Sequence, residues 1–252
     1  MTMKNLFALV LSLLVGWISA GSVMAMTPGP IIIHECPHCQ APLCEFTLGS
    51  GNTIGARYWS DDKMDAPMLP EFPWLVKCPK CKGAFWIDEA KKLGEEGLGA
   101  MPQKKWGNAP ATLAADAADM QTMLAKSKLS KAKEVYLRKH LWWQANDKAR
   151  CDVKVVVKFT PEQQKNLQTL ASLMDEKNEP ERILKAEIFR ELGDFDHCTA
   201  LLAKPFITEG REEWAACLRK LAAQKVKGVR EIKPEENSQT KKPSKPVIKT
   251  GK

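Results

Sequence analysis

The sequence predicts an α+β chain built in two successive parts, strands and turns first and antiparallel helices second. Three observations predict it. Turn and strand signals dominate from residue 26 to about Ile87. Apolar residues recur at helical spacing from about Leu113 to Gln224. Between them, Gly94 to Pro110 holds four glycines and two prolines. At 252 residues and 44% hydrophobic content, the chain can bury one or two small cores. Eight cysteines are too few for a disulfide-dense scaffold, and no apolar run suggests a polytopic membrane protein. The expected segments are a leader over 1–25, a β-rich domain over 31–93, a linker over 94–112, a helical domain over 113–228 and a tail over 233–252.

Lys4, the apolar run from Leu6 to Ile18, and Val23-Met24-Ala25 form the pattern of a cleavable secretory signal. An uncleaved anchor is the alternative, although about fifteen apolar residues make a short spanning helix. No cysteine lies near the cleavage site, which argues against a lipoprotein. The expected location is therefore periplasmic or secreted, with no stable membrane span after cleavage. If translation starts instead at Met26, the protein is cytoplasmic, a compartment that suits unpaired cysteines better.

Ile31 to Ile33 and Trp74 to Val76 are strand-like runs, and each leads into a C-P-x-C turn: Cys36-Pro37-His38-Cys39 and Cys78-Pro79-Lys80-Cys81, 38 residues apart. A tight turn with two thiols three positions apart aims both sulfurs at one point. Two such turns offer four thiolates in the tetrahedral arrangement that Zn2+ accepts at about 2.3 Å per bond. These turns resemble the knuckles of a zinc ribbon over roughly residues 31 to 90, with Gln40 standing where the first knuckle often has glycine. The resemblance implies a closed, structural four-sulfur site at Cys36, Cys39, Cys78 and Cys81. Taken alone, Cys-Pro-His-Cys is also similar to the active-site tetrapeptide of strongly oxidising thioredoxin-like proteins. There the first cysteine opens a long helix, whereas here Gln40-Ala41-Pro42-Leu43 and strand-favouring residues follow.

Cys44 is a spare thiol beside a complete ligand set, and His34 and His38 flank the site as ligand substitutes or outer partners. Leu43 to Leu48 and Thr53 to Trp59 read as a hairpin turning through Gly49 to Asn52. Trp59 to Asp62 offer either a ligand groove, with Trp59 and Asp61 as contacts, or turn chemistry and domain core. Pro67, Pro70 and Pro73 make an extended connector, and Ala84 to Ile87 form the last strand.

In the helical part, Ala114 to Arg150 is helix-prone with a break around Ser127 to Ser130. From Lys131 to Asn146, Val135, Tyr136, Leu141, Trp142 and Trp143 surround the helix, implying burial on two sides or an aromatic surface for a partner; His140 among them reads as packed. Asp152 to Lys158 is a strand or an extended linker. Thr160-Pro161-Glu162-Gln163 is a capping box, followed by Leu167, Leu170, Ala171 and Met174 at helical spacing. A helix from about Pro180 carries Leu184, Ile188 and Leu192. Gly193-Asp194 breaks it, Phe195, Cys198 and Leu202 continue on another, and Thr208 caps a fourth with Trp214, Leu218 and Leu221. Ala186, Phe189 and Gly193 to Cys198 resemble a tetratricopeptide helix-turn-helix over roughly residues 181 to 204, with Cys198 at the usual alanine position. A single match implies a short bundle and not an extended array. Cys198 and Cys217, on adjacent apolar faces, are either a disulfide or two buried thiols; Cys151 then pairs with Cys44 or stays free.

From Lys233 to Lys252 six lysines, two glutamates and three prolines leave little to bury, so the tail reads as disordered. It carries about half of the net charge of +8. Lacking Arg-rich clusters or interleaved aromatics, it makes nucleic acid an unlikely partner. No G-x-S-x-G, Walker loop or H-E-x-x-H is present, and no small-molecule substrate suggests itself. The order of signal, ribbon and helical hairpins resembles bacterial zinc-ribbon proteins of unassigned activity. The expectation is a non-enzymatic protein that binds Zn2+ in its first part and a protein partner through its helices. Two alternatives stand beside it: a thiol-disulfide oxidoreductase using Cys36 and Cys39, and a cytosolic nucleic-acid-binding ribbon.

Overall fold

A computed structural model describes residues 26–98, 106, 108–126, 128–152, 155 and 157–233. The expected signal segment over 1–25 lies outside the described residues, as does the tail beyond Lys233. The described chain forms two compact units: residues of 1–55 with 66–115, and residues of 56–65 with 116–252. Strands dominate the N-terminal half and helices the C-terminal half, as expected for an α+β chain. No helix among the described residues is long and apolar enough to cross a membrane.

In the first unit, strand β1 (Thr27–Glu35) lies between β2 (Pro42–Ser50) and a later strand, Lys91–Leu98, both antiparallel to it. The β-branched run at its centre accounts for this: Ile31 and Ile33 are buried and need neighbours on both edges. Ile33 therefore faces Cys44 on one side and Gly94 on the other. The expected hairpin of 43–48 with 53–59 does not form. Its first arm pairs with β1, and its second arm supplies β3 (Arg57–Trp59) and, after a turn, β4 (Met64–Asp65) to the second unit. Just after β2 the backbone packs closely on itself at Gly51, where a Cβ would sit 2.3 Å from the Met68 carbonyl oxygen.

A second small sheet joins β5 (Leu75–Lys77) to β6 (Ala84–Trp86), and then, after β7 (Lys91–Leu98), to β8 (Leu113–Ala114). The segment expected to be a linker over 94–112 is thus strand at its start, and its described residues near the end pair with the first unit's own strands. Cys44 N donates to the Pro110 carbonyl and Thr112 N to the Cys44 carbonyl. Its glycines misled the reading, because Gly94 serves packing: a Cβ there would stand 2.9 Å from the Trp106 ring.

Six helices make up most of the second unit: α1 (Ala117–Lys126), α2 (Lys131–Cys151), α3 (Pro161–Leu173), α4 (Glu179–Leu192), α5 (Phe195–Ala203) and α6 (Arg211–Ala223). Successive helices pack on one another, and α6 also reaches α4. Their ends follow local chemistry. Ser130, Thr160, Asn178 and Asp194 each accept a backbone N–H two or three residues into the helix that follows, and Thr160 with Gln163 completes the capping box. Gly193 ends α4 at φ 88°, the left-handed region that glycine enters freely. Thr208 does not cap α6. Gly210 at φ 75° stands at that position, and the Thr208 carbonyl accepts from Arg211 N.

Of the expected strand or linker over 152–158, Asp152, Val155, Val157 and Lys158 lie outside any strand, and 153, 154 and 156 are outside the described residues. Two apolar clusters fill the helical layers. One centres on Leu167, Leu170, Leu184 and Ile188, the other on Ala186, Cys198, Leu202 and Leu218. Beyond residue 228, where the helical part was expected to end, the chain adds β9 (Glu231–Ile232) to the free edge of β3.

Candidate metal centre

The two cysteine turns have the same backbone. Cys36 N donates to the Ala41 carbonyl and Gln40 N to the Cys36 carbonyl; Cys78 N donates to the Gly83 carbonyl and Lys82 N to the Cys78 carbonyl. Each turn closes through a left-handed residue, Gln40 at φ 59° and Lys82 at φ 61°. Side chains enter that region at a cost of about 1–3 kcal/mol, so both turns are strained where glycine would not be. Each turn leaves one strand and enters the next, and no helix begins at either first cysteine.

The turns bring together all four sulfurs expected from the sequence. The Sγ atoms of Cys36, Cys39, Cys78 and Cys81 lie within 4.8 Å of one another. Cys36 approaches Cys81 at 3.7 Å and Cys39 approaches Cys78 at 3.8 Å. Four sulfurs at about 2.3 Å from a central ion stand about 3.8 Å apart along each tetrahedral edge, so the donor set and its spacing fit a metal ion and are consistent with zinc. Cys36 and Cys78 are fully buried, Cys39 is half-buried and Cys81 is exposed. Burial pushes the Cys36 thiol up to about 12. Burial also pushes Cys78 up, but the backbone N–H groups of Cys81 and Lys80 outweigh it and bring that thiol down to about 7.

The flanking histidines take no place among the ligands. His38 lies over Gly83, where a Cβ would meet its ring at 2.4 Å, and its Nε2 is 3.1 Å from the Ala84 carbonyl. It ties the first turn to the second. His34 is buried and pairs with Glu45 at 2.7 Å. Cys44 donates to the Ala109 carbonyl at 3.0 Å and is a packed thiol. Cys151, Cys198 and Cys217 are also unbonded; burial pushes Cys198 up to about 12 and raises Cys217, so neither is a ready nucleophile.

Trp59 and Asp61, expected at a groove or in the β-rich core, are in neither place. Both are buried in the second unit, within a charged cluster that sequence reading missed. Asp61 pairs with Arg150 and accepts from Asn146 Nδ2 at 2.9 Å. Arg190, with no exposed surface, holds Glu187 through two bonds of 2.5 and 2.6 Å and donates to the Val226 and Gly228 carbonyls. Glu191 accepts from Trp142 Nε1 at 2.7 Å and from Asn146 Nδ2 at 3.0 Å. Three carboxylates thus share two guanidiniums. Arg150 answers Asp61 and Arg190 answers Glu187, while Glu191 has only the more distant contact with Arg190 at 3.9 Å, and its burial beside those two acids raises its pKa well above the usual carboxylate range. Glu187 and Glu191, four apart beside the Leu184–Ile188–Leu192 row, were the available signal: a second row buried on the same helix.

Helices α1, α2 and α3 also border an open groove of about 870 Å³, lined among others by Leu124, Leu141, Trp142, Gln144, Phe159 and Leu167. Comparison of the chain with protein-family models, curated proteins and solved structures gave no match.

Proposed function

We propose that Cys36, Cys39, Cys78 and Cys81 hold one structural zinc ion in a ribbon-like unit, and that the helical unit binds a protein partner in an exported, non-enzymatic protein. One observation carries the metal reading: two turns of identical backbone, far apart in sequence, deliver four sulfurs at the edge length of a zinc tetrahedron. Four protein ligands leave no open position for water. The ion's contribution is then to folding, since it neutralises thiolates that a small core would otherwise have to bury.

For the helical half, the α4–α5 hairpin with its Gly193 turn is the part that resembles a tetratricopeptide unit. The groove over α1 to α3 is the concave surface available to a partner. A dithiol enzyme is the poorer reading of the cysteines. Its nucleophile, Cys36, is buried, its thiol is pushed up, and no helix N-terminus lies beneath it to stabilise a thiolate.

Zinc and free thiols counted on protein recovered from separate cell fractions test the proposal. One zinc per chain with four of the eight thiols protected is the expected result, in the exported fraction. Absence of zinc, with disulfides at Cys36–Cys39 and Cys78–Cys81, overturns the metal reading. Reduction of insulin by the purified protein overturns the non-enzymatic one.

A further inference from the structure

Each buried sulfur of the centre faces a more accessible sulfur of the opposite turn. Fully buried Cys36 stands 3.7 Å from exposed Cys81, and fully buried Cys78 stands 3.8 Å from half-buried Cys39. Both contacts are aligned as thiol–thiol hydrogen bonds, so each pair already points sulfur at sulfur. From this arrangement we infer that the centre responds to hydrogen peroxide by releasing its metal and closing two disulfides across the turns, Cys36–Cys81 and Cys39–Cys78. The inference rests on the metal reading above both for the release step and for Cys36, which the bound ion would hold as a thiolate despite its burial.

Oxidation begins where peroxide can reach. The Cys81 thiolate attacks one peroxide oxygen, the O–O bond breaks, and the departing hydroxide takes a proton to become water, leaving a sulfenic acid on Cys81. The Cys36 thiolate then attacks that sulfur. The S–S bond forms as the S–OH bond breaks, and the second hydroxide leaves as water. Two thiolates, one peroxide and two protons become one disulfide and two waters. A disulfide at Cys36–Cys81 takes away two of the four donors that would hold a zinc ion, so a bound ion would be released to water; Cys39 and Cys78 repeat the step with a second peroxide.

Cross-linking in this sense leaves both turns intact. The backbone bonds that shape each turn run within it, from Gln40 to Cys36 and from Lys82 to Cys78. A bridge between turns only shortens a gap of 3.7 or 3.8 Å that the fold already maintains. The oxidised unit therefore keeps a covalent substitute for the metal, and a thiol reductant with zinc restores the original state.

The test uses the full chain, purified reduced and without oxygen, with zinc quantified before hydrogen peroxide is added. A chromogenic chelator reads metal release, and mass spectrometry of the alkylated, unreduced tryptic digest reads the pairing. Cleavage after Lys77, Lys80 and Lys82 separates Cys78 from Cys81, and fragmentation between Pro37 and His38 assigns their partners. Expected are one zinc released per two peroxides consumed and linked peptides 36–81 and 39–78. Pairing within the turns overturns the inference, as does pairing 36–78 with 39–81 or retention of zinc with intact thiols. A preparation without zinc overturns the metal reading instead; the same map on that protein still decides the pairing.

Discussion

The first unit builds its core around sulfur, whereas the second builds its core from aliphatic layers with a charged centre. In the first, two ligand cysteines share a cluster with Leu43, Val76, Phe85 and Ile87, and none of the strands in its second sheet exceeds three residues. Such a core cannot be completed by hydrophobic burial, because the thiols at its centre require either protons in a dry site or a metal. In the second, Leu170, Leu202 and Leu218 are fully buried, and the charges of Asp61, Arg150, Glu187 and Arg190 answer one another inside the protein. The comparison teaches that one chain can build polar atoms into two cores in two ways, with four converging thiols in one unit and with its own ion pairs in the other.

Metal removal is the strongest way to break this contrast. Structural zinc supplies about 10 kcal/mol or more of apparent folding energy in small modules. A chelator strong enough to strip zinc from four thiolates is therefore expected to unfold the first unit while leaving helical circular dichroism nearly intact. Equal loss of both signals would show that the two units do not divide their stabilisation as described.

Arg150→Met makes the reciprocal break. It leaves the Asp61 carboxylate, which has no exposed surface, with only the neutral donors Asn146 Nδ2 and Lys63 N and without a cation. Removing one partner of a buried pair costs about 3–5 kcal/mol, so urea denaturation followed at the helical signal should shift by that amount. The zinc content should not change. A shift below about 1 kcal/mol would mean the pair is no more than a surface contact.

Glu191→Gln sharpens the comparison by asking which acid carries the extra proton. Trp142, Asn146 and Arg190 face Glu191, and Glu187 and Asp61 oppose its ionisation. Its folded pKa is raised, so the stability it lends is present below the unfolded carboxylate pKa and lost as pH rises toward the folded one. The folded chain keeps a proton that the unfolded chain releases, which lowers stability by up to about 1.4 kcal/mol per pH unit over that window. The amide has no proton to lose, so the variant should be flatter in stability as pH rises above the unfolded carboxylate pKa. An unchanged slope would place the proton elsewhere, with Asp61, itself raised by burial against the pull of Arg150, as the next candidate.

What was legible in the sequence was local. The C-P-x-C turns, the capping box at Thr160 and the Gly193 stop are each defined by residues within a few positions of one another, and the structure holds them where they were expected. What was not legible depended on partners far away in the chain. Leu43 to Leu48 could pair forward or backward, and the demand of Ile31 and Ile33 for neighbours decided it. Arg57 to Trp59 looked like the second arm of that hairpin because nothing local shows that β9, more than 170 residues later, would meet its edge. Asp61 carried ordinary turn chemistry, and only Arg150 and Asn146 on α2 make it a core residue.

The smallest expected effect isolates that local component. Thr160→Ala removes the hydroxyl that accepts from Gln163 N at 3.3 Å, while the Gln163 side chain can still receive Thr160 N at 2.9 Å. Half of the capping box survives, so the loss should lie near about 1 kcal/mol, the usual value for a threonine cap. Because α3 belongs to the second unit, the change should move the helical denaturation midpoint and leave zinc retention by the four sulfurs unaltered. Thr160→Ser keeps the accepting oxygen and should restore the midpoint. A loss of several kcal/mol would mean that the cap supports packing on α2 as well as the helix end, through Leu167 and Leu170 against Trp142, and that this unit depends on its aliphatic layers more than on its buried charges.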